Sequence, residues 1–492
     1  MPVSDKHPAY DKFRAQWQRI QDVLDGEDAV KDRGEEYLAR IYKATDEEYG
    51  AYRLRAGFFG ATRRTWEAMA GFIFRKPPTI KTKLDKSVTE DVDMKGATLA
   101  GYCRKVTGAA CGKGRAGTLI DWNEKENRPF LSFYAAEDII NWNITRINGR
   151  MALTLLVLRE WDNSVGGDGF MMEAKEQWLV FRLTDAGVTR EVWQANTPGD
   201  GLNKQDTPAP GAVVTIAAAP ITRRSDALTD IPFVFHNSDE PGACVSVPPL
   251  ADISSVNIHH YQASAELENA RHACATPTPY AIGFGNDDTK LYLGTSYAWT
   301  TPNLGATCGF LEPQGNGLPS LEKSLEEKER QMAALGARLI EPPKKDAEAF
   351  ETVQLRASAE TSTLAKIGLL TSEGLSEVLQ WVEWWAGTVK DREDLRDITF
   401  VALNSDYASA RMTPQELTAL VASWQQGAIS QDTFFFAMQR GEMYPEGRTL
   451  EEERRLIEKF PAMPGVSGLD EDGNPIHGAP PPEPEPPEPA AK

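Results

Sequence analysis

The 492-residue chain comes nearest to recognisable chemistry in the run Gly108-Ala109-Ala110-Cys111-Gly112-Lys113-Gly114. A phosphate-cradling loop needs a glycine five positions before its Gly-Lys pair, and a Ser or Thr after the lysine to hold magnesium. Thr107 and Gly114 occupy those positions, and the preceding stretch reads as a helix where the loop requires a strand. A helix C-cap followed by a tight turn is the better reading. Four candidate metal ligands, His259, His260, His272 and Cys274, fall within sixteen residues. On a helix, His259 and His260 point about 100° apart, and neither has a ligand-type partner four positions on. They are expected to be polar interface positions. Asp470 to Asn474 loosely resembles a calcium loop, but its glycine is misplaced and no glutamate closes it. The five cysteines (Cys103, Cys111, Cys244, Cys274 and Cys308) are scattered and form no Cys-x-x-Cys pair. That predicts buried small hydrophobes, with neither a disulfide framework nor a zinc site. No metalloprotease, nucleophile-elbow or dinucleotide motif occurs. The expectation is no enzyme, with no catalytic residue, cofactor or metal.

The elements that would position side chains come in blocks. In the first, Tyr10, Phe13, Trp17 and Ile20 recur at helical spacing, as do Phe59, Trp66, Met69 and Ile73. Arg75-Lys76-Pro77-Pro78 stops that second helix, and another helix is expected from about Asp91 to Ala110. Six short strands follow: Thr118–Trp122, Pro129–Tyr134, Ile139–Arg146, Met151–Trp161, Gln177–Leu183 and Thr189–Gln194. Asn148-Gly149 marks a hairpin, and Ala186-Gly187 turns the next pair. Residues 197–226 read as an exposed loop with one strand.

From Pro248-Pro249 a helix runs to Cys274, and a Gly- and Pro-rich β insertion covers 277–317. A second helix spans Leu318–Ile340, with Leu321, Leu325, Met332, Leu335 and Leu339 on one face and Glu322, Glu326, Glu327 and Glu329 elsewhere. Pro342-Pro343-Lys344-Lys345 breaks it before a long helix from Leu355 to Gly387. On that helix Trp381, Trp384 and Trp385 are spaced either for core packing or as an intersubunit anchor. A strand, Ile398–Leu403, precedes three short helices started at Thr413, Ser430 and Thr449. The last stretch, 461–492, is proline- and glutamate-rich and is read as a disordered tail.

Composition bounds the function. Lys and Arg number 53 against 72 Asp and Glu, a formal charge of −19. Such an excess disfavours gripping nucleic acid over a broad basic face, and leaves room for a few local basic segments. The first twenty residues lack an apolar h-region, so no secretory signal is expected. The longest apolar runs fall far short of the ~20 residues a membrane helix needs, so the chain reads as soluble and intracellular at synthesis.

Several stretches, in order, resemble the portal proteins of tailed double-stranded DNA bacteriophages. They are Phe74-Arg75-Lys76-Pro77-Pro78, Gly117–Asp121 with Arg128-Pro129, Tyr134–Trp142, Asn257–Tyr261, Pro277-Thr278-Pro279, Gln331–Ala337, Glu351-Thr352, Gly427–Ser430 and Glu451–Glu453. The resemblance implies an α+β, multi-domain, portal-like fold with these parts: a wing at 1–247 (helices 1–110, β-rich part 115–236), stem helices at 248–275 and 318–340, a clip at 276–317, a channel loop at 341–354, a long wing helix at 355–395, a crown at 396–460 and a tail at 461–492.

It also implies a homo-oligomeric ring, typically of twelve subunits, at one capsid vertex of the virion. Its partners would be the terminase large subunit, a head–tail adaptor, the major capsid or scaffolding protein, and duplex DNA passing without sequence specificity. No membrane partner is implied. Lys344 and Lys345 would touch DNA transiently, and Glu322, Glu326 and Glu329 would line an acidic channel wall that keeps the duplex mobile. Two other readings stand beside it: a different head–tail connector or minor capsid protein, and an acidic hydrolase whose site leaves no local motif.

Overall fold

A computed structural model of the chain describes residues 3–147, 149–165, 172–195, 212–223, 226–276, 278–284, 292, 298–311, 313, 315–340, 362–404, 414–440, 443 and 450–459. The elements, in order, are α1 (Pro8–Asp25), α2 (Glu27–Asp32), α3 (Asp46–Arg55), α4 (Ala61–Ile73), β1 (Thr79–Lys81), α5 (Lys86–Thr89) and α6 (Leu99–Lys113). There follow β2 (Arg115–Asn123), β3 (Arg128–Ala135), β4 (Ile139–Ile147), β5 (Arg150–Val165), β6 (Met172–Thr184), β7 (Gly187–Ala195), β8 (Ala212–Pro220), β9 (Thr222–Arg223), β10 (Asp226–Ala227) and β11 (Phe233–Asn237). Then come α7 (Ala251–Ala275), β12 (Thr278–Ile282), β13 (Thr307–Leu311), α8 (Leu318–Ile340), α9 (Ser362–Ala386) and β14 (Phe400–Ala402). The last three helices are α10 (Pro414–Gln425), α11 (Gln431–Arg440) and α12 (Leu450–Lys459). The fold is mixed α+β. It divides into a unit of residues 1–407 and a unit of residues 408–492.

In the larger unit the predicted face of α1 is the buried one: Tyr10, Phe13, Trp17 and Ile20 all enter the main core. The Trp17 indole N–H is satisfied inside it, donating to the Lys113 carbonyl at 3.1 Å, as a buried tryptophan requires. The run that mimicked a phosphate loop lies on α6. The Trp66 indole lies against Gly108 and Gly112, where a Cβ on Gly108 would come within 3.1 Å of the ring. Its N–H donates to the Gly108 carbonyl at 2.7 Å. Gly114 then caps the helix in the left-handed region, φ 73°, the conformation glycine adopts at least cost. Those glycines serve packing and termination.

Helix α6 starts later than expected. Residues 91–97 form a turn, because Asp91 accepts from the Gly96 N–H and Asp93 from the Lys95 and Ala97 N–H groups. Aspartates that bind nearby backbone compete with the helix, and Thr98 supplies the actual N-cap.

The predicted strands all form. β4 to β8 make a five-stranded antiparallel meander, and β11-β2-β3 a separate three-stranded sheet. Ile147 pairs with Arg150, so the first hairpin turns between them, as expected. The next turns at Asp185-Ala186, since Thr184 pairs with Gly187. β11 returns to pair with β2, setting Phe233 opposite Leu119 and Phe235 opposite Gly117. A Cβ on Gly117 would fall 2.1 Å from the Phe233 ring, so only glycine fits that crossing. Helix α9 packs across this sheet and against β14. β14 pairs with β1, Thr79 opposite Ala402. Residues 396–407, assigned by resemblance to the crown, therefore belong to the larger unit. Helices α10, α11 and α12 lie in the smaller unit, where Trp424 stacks on Phe434 and Arg454 bonds Asp432 at 2.7 Å.

Candidate functional site

The most distinctive construction is the hairpin of α7 and α8 with a β ribbon at its end. α7 is buried on several sides because it packs against α1, α3, α4 and α8. Asn257 pins its middle: the side-chain oxygen accepts from the Thr62 hydroxyl at 2.8 Å and the Thr62 N–H at 3.2 Å, while its amide donates to the Phe59 carbonyl at 2.8 Å. α8 runs antiparallel to it. Gly336 meets Ile253 and Thr65, Glu329 meets His260 at 3.4 Å, and Glu322 meets Arg271 at 2.7 Å. At ~1.5 Å per residue the two helices are about 35 Å long. Beyond them β12 and β13 pair from Thr278–Leu311 to Ile282–Thr307.

That ribbon is a two-stranded sheet whose large side chains face solvent. Tyr280 and Phe310 are exposed, Ile282 is 62% exposed and Leu311 is 66% exposed. A two-stranded ribbon is marginal alone in water, and clustered exposed apolar residues mark interaction sites. Tyr280 lies over Gly309 of the facing strand, and the other three keep more than half of their surface exposed.

The three nominated glutamates are all exposed on α8, and each has a hydrogen-bonding or ion-pair partner. Besides Arg271 at Glu322 and His260 at Glu329, Arg330 lies 3.4 Å from Glu326. The helix carries Lys323, Lys328, Arg330 and Arg338 against its four glutamates. The expected acidic wall is thus a mixed surface in which Glu322 and Glu326 are ion-paired. Burial lowers the His260 pKa below its ordinary value despite Glu329. His259 and His272 are exposed, and among the described residues no group of three or more His, Cys, Asp or Glu could hold a metal. Lys344 and Lys345 lie outside the described residues.

Trp381 and Trp385 are each 4% exposed in the chain's own core, so they do not form an outward intersubunit surface. Trp384 is half-buried, donates to the Lys390 carbonyl at 3.1 Å and has the Arg223 guanidinium 4.1 Å from its ring centroid. Arg392 lies similarly over Trp381 at 4.0 Å. The thiols split: Cys103 and Cys111 are buried and pushed up to about 12 by burial, whereas Cys244 and Cys308 are exposed, contrary to expectation.

Sequence reasoning had not singled out the carboxylates between the two large sheets. Asp121 is raised by burial and bonds Arg190 at 2.7 Å; Glu160 accepts from the Tyr134 hydroxyl and from Gln177. Each is engaged with neighbours, and neither of the two cavities described below borders them, so the cluster reads as a structural network. Those cavities hold about 580 and 560 Å³. The first lies beside Tyr42, Arg55 and His272, the second between the start of α4 and the end of α8.

Residues 249–386 match a domain of unknown function (DUF4055). The match begins at the second proline ahead of α7 and ends on the last residue of α9, so it takes in the hairpin, ribbon and long helix as one block. Comparison with curated proteins finds no match. Among solved structures, one similar chain belongs to the "Virion of native gene transfer agent (GTA) particle". It is 12% identical with a TM-score of 0.35, covering 87% of this chain and 98% of that one. A chain of the "Neck of empty GTA particle computed with C6 symmetry" is 12% identical with a TM-score of 0.35, covering 86% and 96%. One from the "Neck of native GTA particle computed with C12 symmetry" is 12% identical with a TM-score of 0.36, covering 82% and 96%. Likeness at that level decides no function.

Proposed function

We propose that the chain is the portal subunit of a tailed-phage-like particle. It forms a closed ring at one capsid vertex through which duplex DNA is packaged and ejected, and on which terminase and head–tail adaptors dock. The role is non-enzymatic. One observation carries the reading: a long antiparallel hairpin, α7 with α8, ends in a ribbon whose Tyr280, Ile282, Phe310 and Leu311 the described chain leaves exposed. A side chain of Ile or Leu size gains about 1.5–3 kcal/mol on full burial, so the ribbon has stability to gain from a partner. The ordered stretches that resemble portal proteins supply the identity of that partner class.

Electron microscopy of negatively stained protein over a range of concentrations tests the proposal. Rings with a central hole are expected. A species that stays monomeric or dimeric at every concentration would favour a different connector or minor capsid protein.

A further inference from the structure

The segment that follows α4 has a pattern the sequence reading passed over. Residues 79–85 alternate strictly: Ile80, Thr82 and Leu84 turn inward, while Thr79, Lys81, Lys83 and Asp85 are exposed. The inward side is held by Glu383 of α9, which is fully buried and accepts from the Thr82 hydroxyl, from the Lys83 N–H at 2.7 Å and from Thr399 at 2.7 Å. Period-two alternation therefore sets Lys81 and Lys83 on one outer face, about 6.7 Å apart along the chain.

Two cations of α6, Arg104 and Lys105, are exposed as well. Arg104 of α6 lies 6.0 Å from the Phe74 ring centroid, beside Arg75 and Lys76. Lys105 lies 4.5 Å from the ring of Phe133 on β3, the strand on which α5, with Lys86 at its start, also packs. The aliphatic stems rest on aromatic rings while the charged heads reach water. Residues 75–86 and 104–105 thus hold seven cations against one carboxylate, Asp85. Arg75, Lys81, Lys83, Lys86, Arg104 and Lys105 are all exposed.

We infer that this strip is a contact surface for the phosphate backbone of duplex DNA. Two features favour a polyanion over an acidic protein. Lysine is depleted at protein–protein interfaces, which are anchored by apolar or aromatic side chains; no large apolar residue between Phe59 and Ile144 is exposed, and Ile398, beside the paired strand β14, is only 37% exposed. Lysines on an extended backbone supply mobile point charges, which suit binding that ignores sequence. The strip lies outside the α7–α8 hairpin and can be assayed whether or not rings form.

The test is fluorescence anisotropy of a labelled mixed-sequence duplex with the full chain, from about 50 to 200 mM salt, where each neutralised phosphate adds about −0.9 to the slope of log K against log salt. The triple variant Lys81→Gln, Lys83→Gln, Lys86→Gln should flatten that slope by about 2–3 and weaken low-salt binding at least tenfold, roughly. Arg104→Gln with Lys105→Gln should do so independently by about 1–2, and both proteins should melt as the parent does. The inference fails if the parent does not bind at low salt, or if both variants bind as tightly as the parent. It also fails if polyglutamate competes as well as unlabelled duplex, which would assign the strip to an acidic protein. Images of the same variants report ring formation separately.

Discussion

The main core of the larger unit and the α7–α8 ribbon treat apolar surface in opposite ways. Around Trp17, Trp178 and Phe181 the large side chains form one buried cluster, and even His236 and Arg115 are wholly buried. At the ribbon, side chains of the same kinds face water. A region that completes its own packing supports the subunit; one that leaves its packing open is built for what binds it. Substitutions that cost stability in the first region should be silent there in the second, where their effect should fall on assembly.

The largest contrast is with pH. His236 is fully buried, and burial lowers its pKa from 6.5 to about 3. Below pH 6.5 the unfolded chain takes up a proton that the folded chain refuses. Stability is therefore intact above that pH and lost progressively as pH falls towards 3, by on the order of 5 kcal/mol. Urea unfolding from pH 7 to 4 should show the slope, and His236→Asn should flatten it. An unchanged slope would place the sensitivity elsewhere.

Next comes Trp17→Ala, which opens a cavity at a fully buried site and frees the Lys113 carbonyl; a loss of about 3–5 kcal/mol is expected in the same assay. Smaller is Gly336→Ala at the α4–α8 crossing. Its Cβ would lie 2.9 Å from the Thr65 hydroxyl, giving a loss of about 1–3 kcal/mol. That position belongs to the hairpin yet behaves like core, so it marks where self-sufficient packing ends.

Much of this was legible in residue order. Leu318–Ile340 came out with both ends right because prolines and glycines bound it, and the strands of the meander followed from β-branched runs broken at glycine turns. Much of what escaped depends on contacts distant in sequence. Nothing local announces that Phe233–Asn237 pairs with β2, or that Phe400–Ala402 joins β1 and draws residues 396–407 into the larger unit. The helix expected from Asp91 failed because aspartate side chains took the N–H groups a helix would use. At the candidate site, the glutamates of α8 were visible, but their partners Arg271 and His260 lie on another helix. The tryptophan spacing allowed core or interface, and burial decided for core at Trp381 and Trp385.

The most direct measurement is the solution mass of the assembled protein beside that of Ile282→Ser with Leu311→Ser. The parent, a 54.3 kDa chain, should reach a discrete closed oligomer, near twelve copies. The double variant should unfold within about 0.5 kcal/mol of the parent, as exposed substitutions do, yet remain monomeric or form incomplete rings. A parent that stays monomeric at all concentrations, or a variant that assembles as well as the parent, would contradict the ribbon's part in the ring.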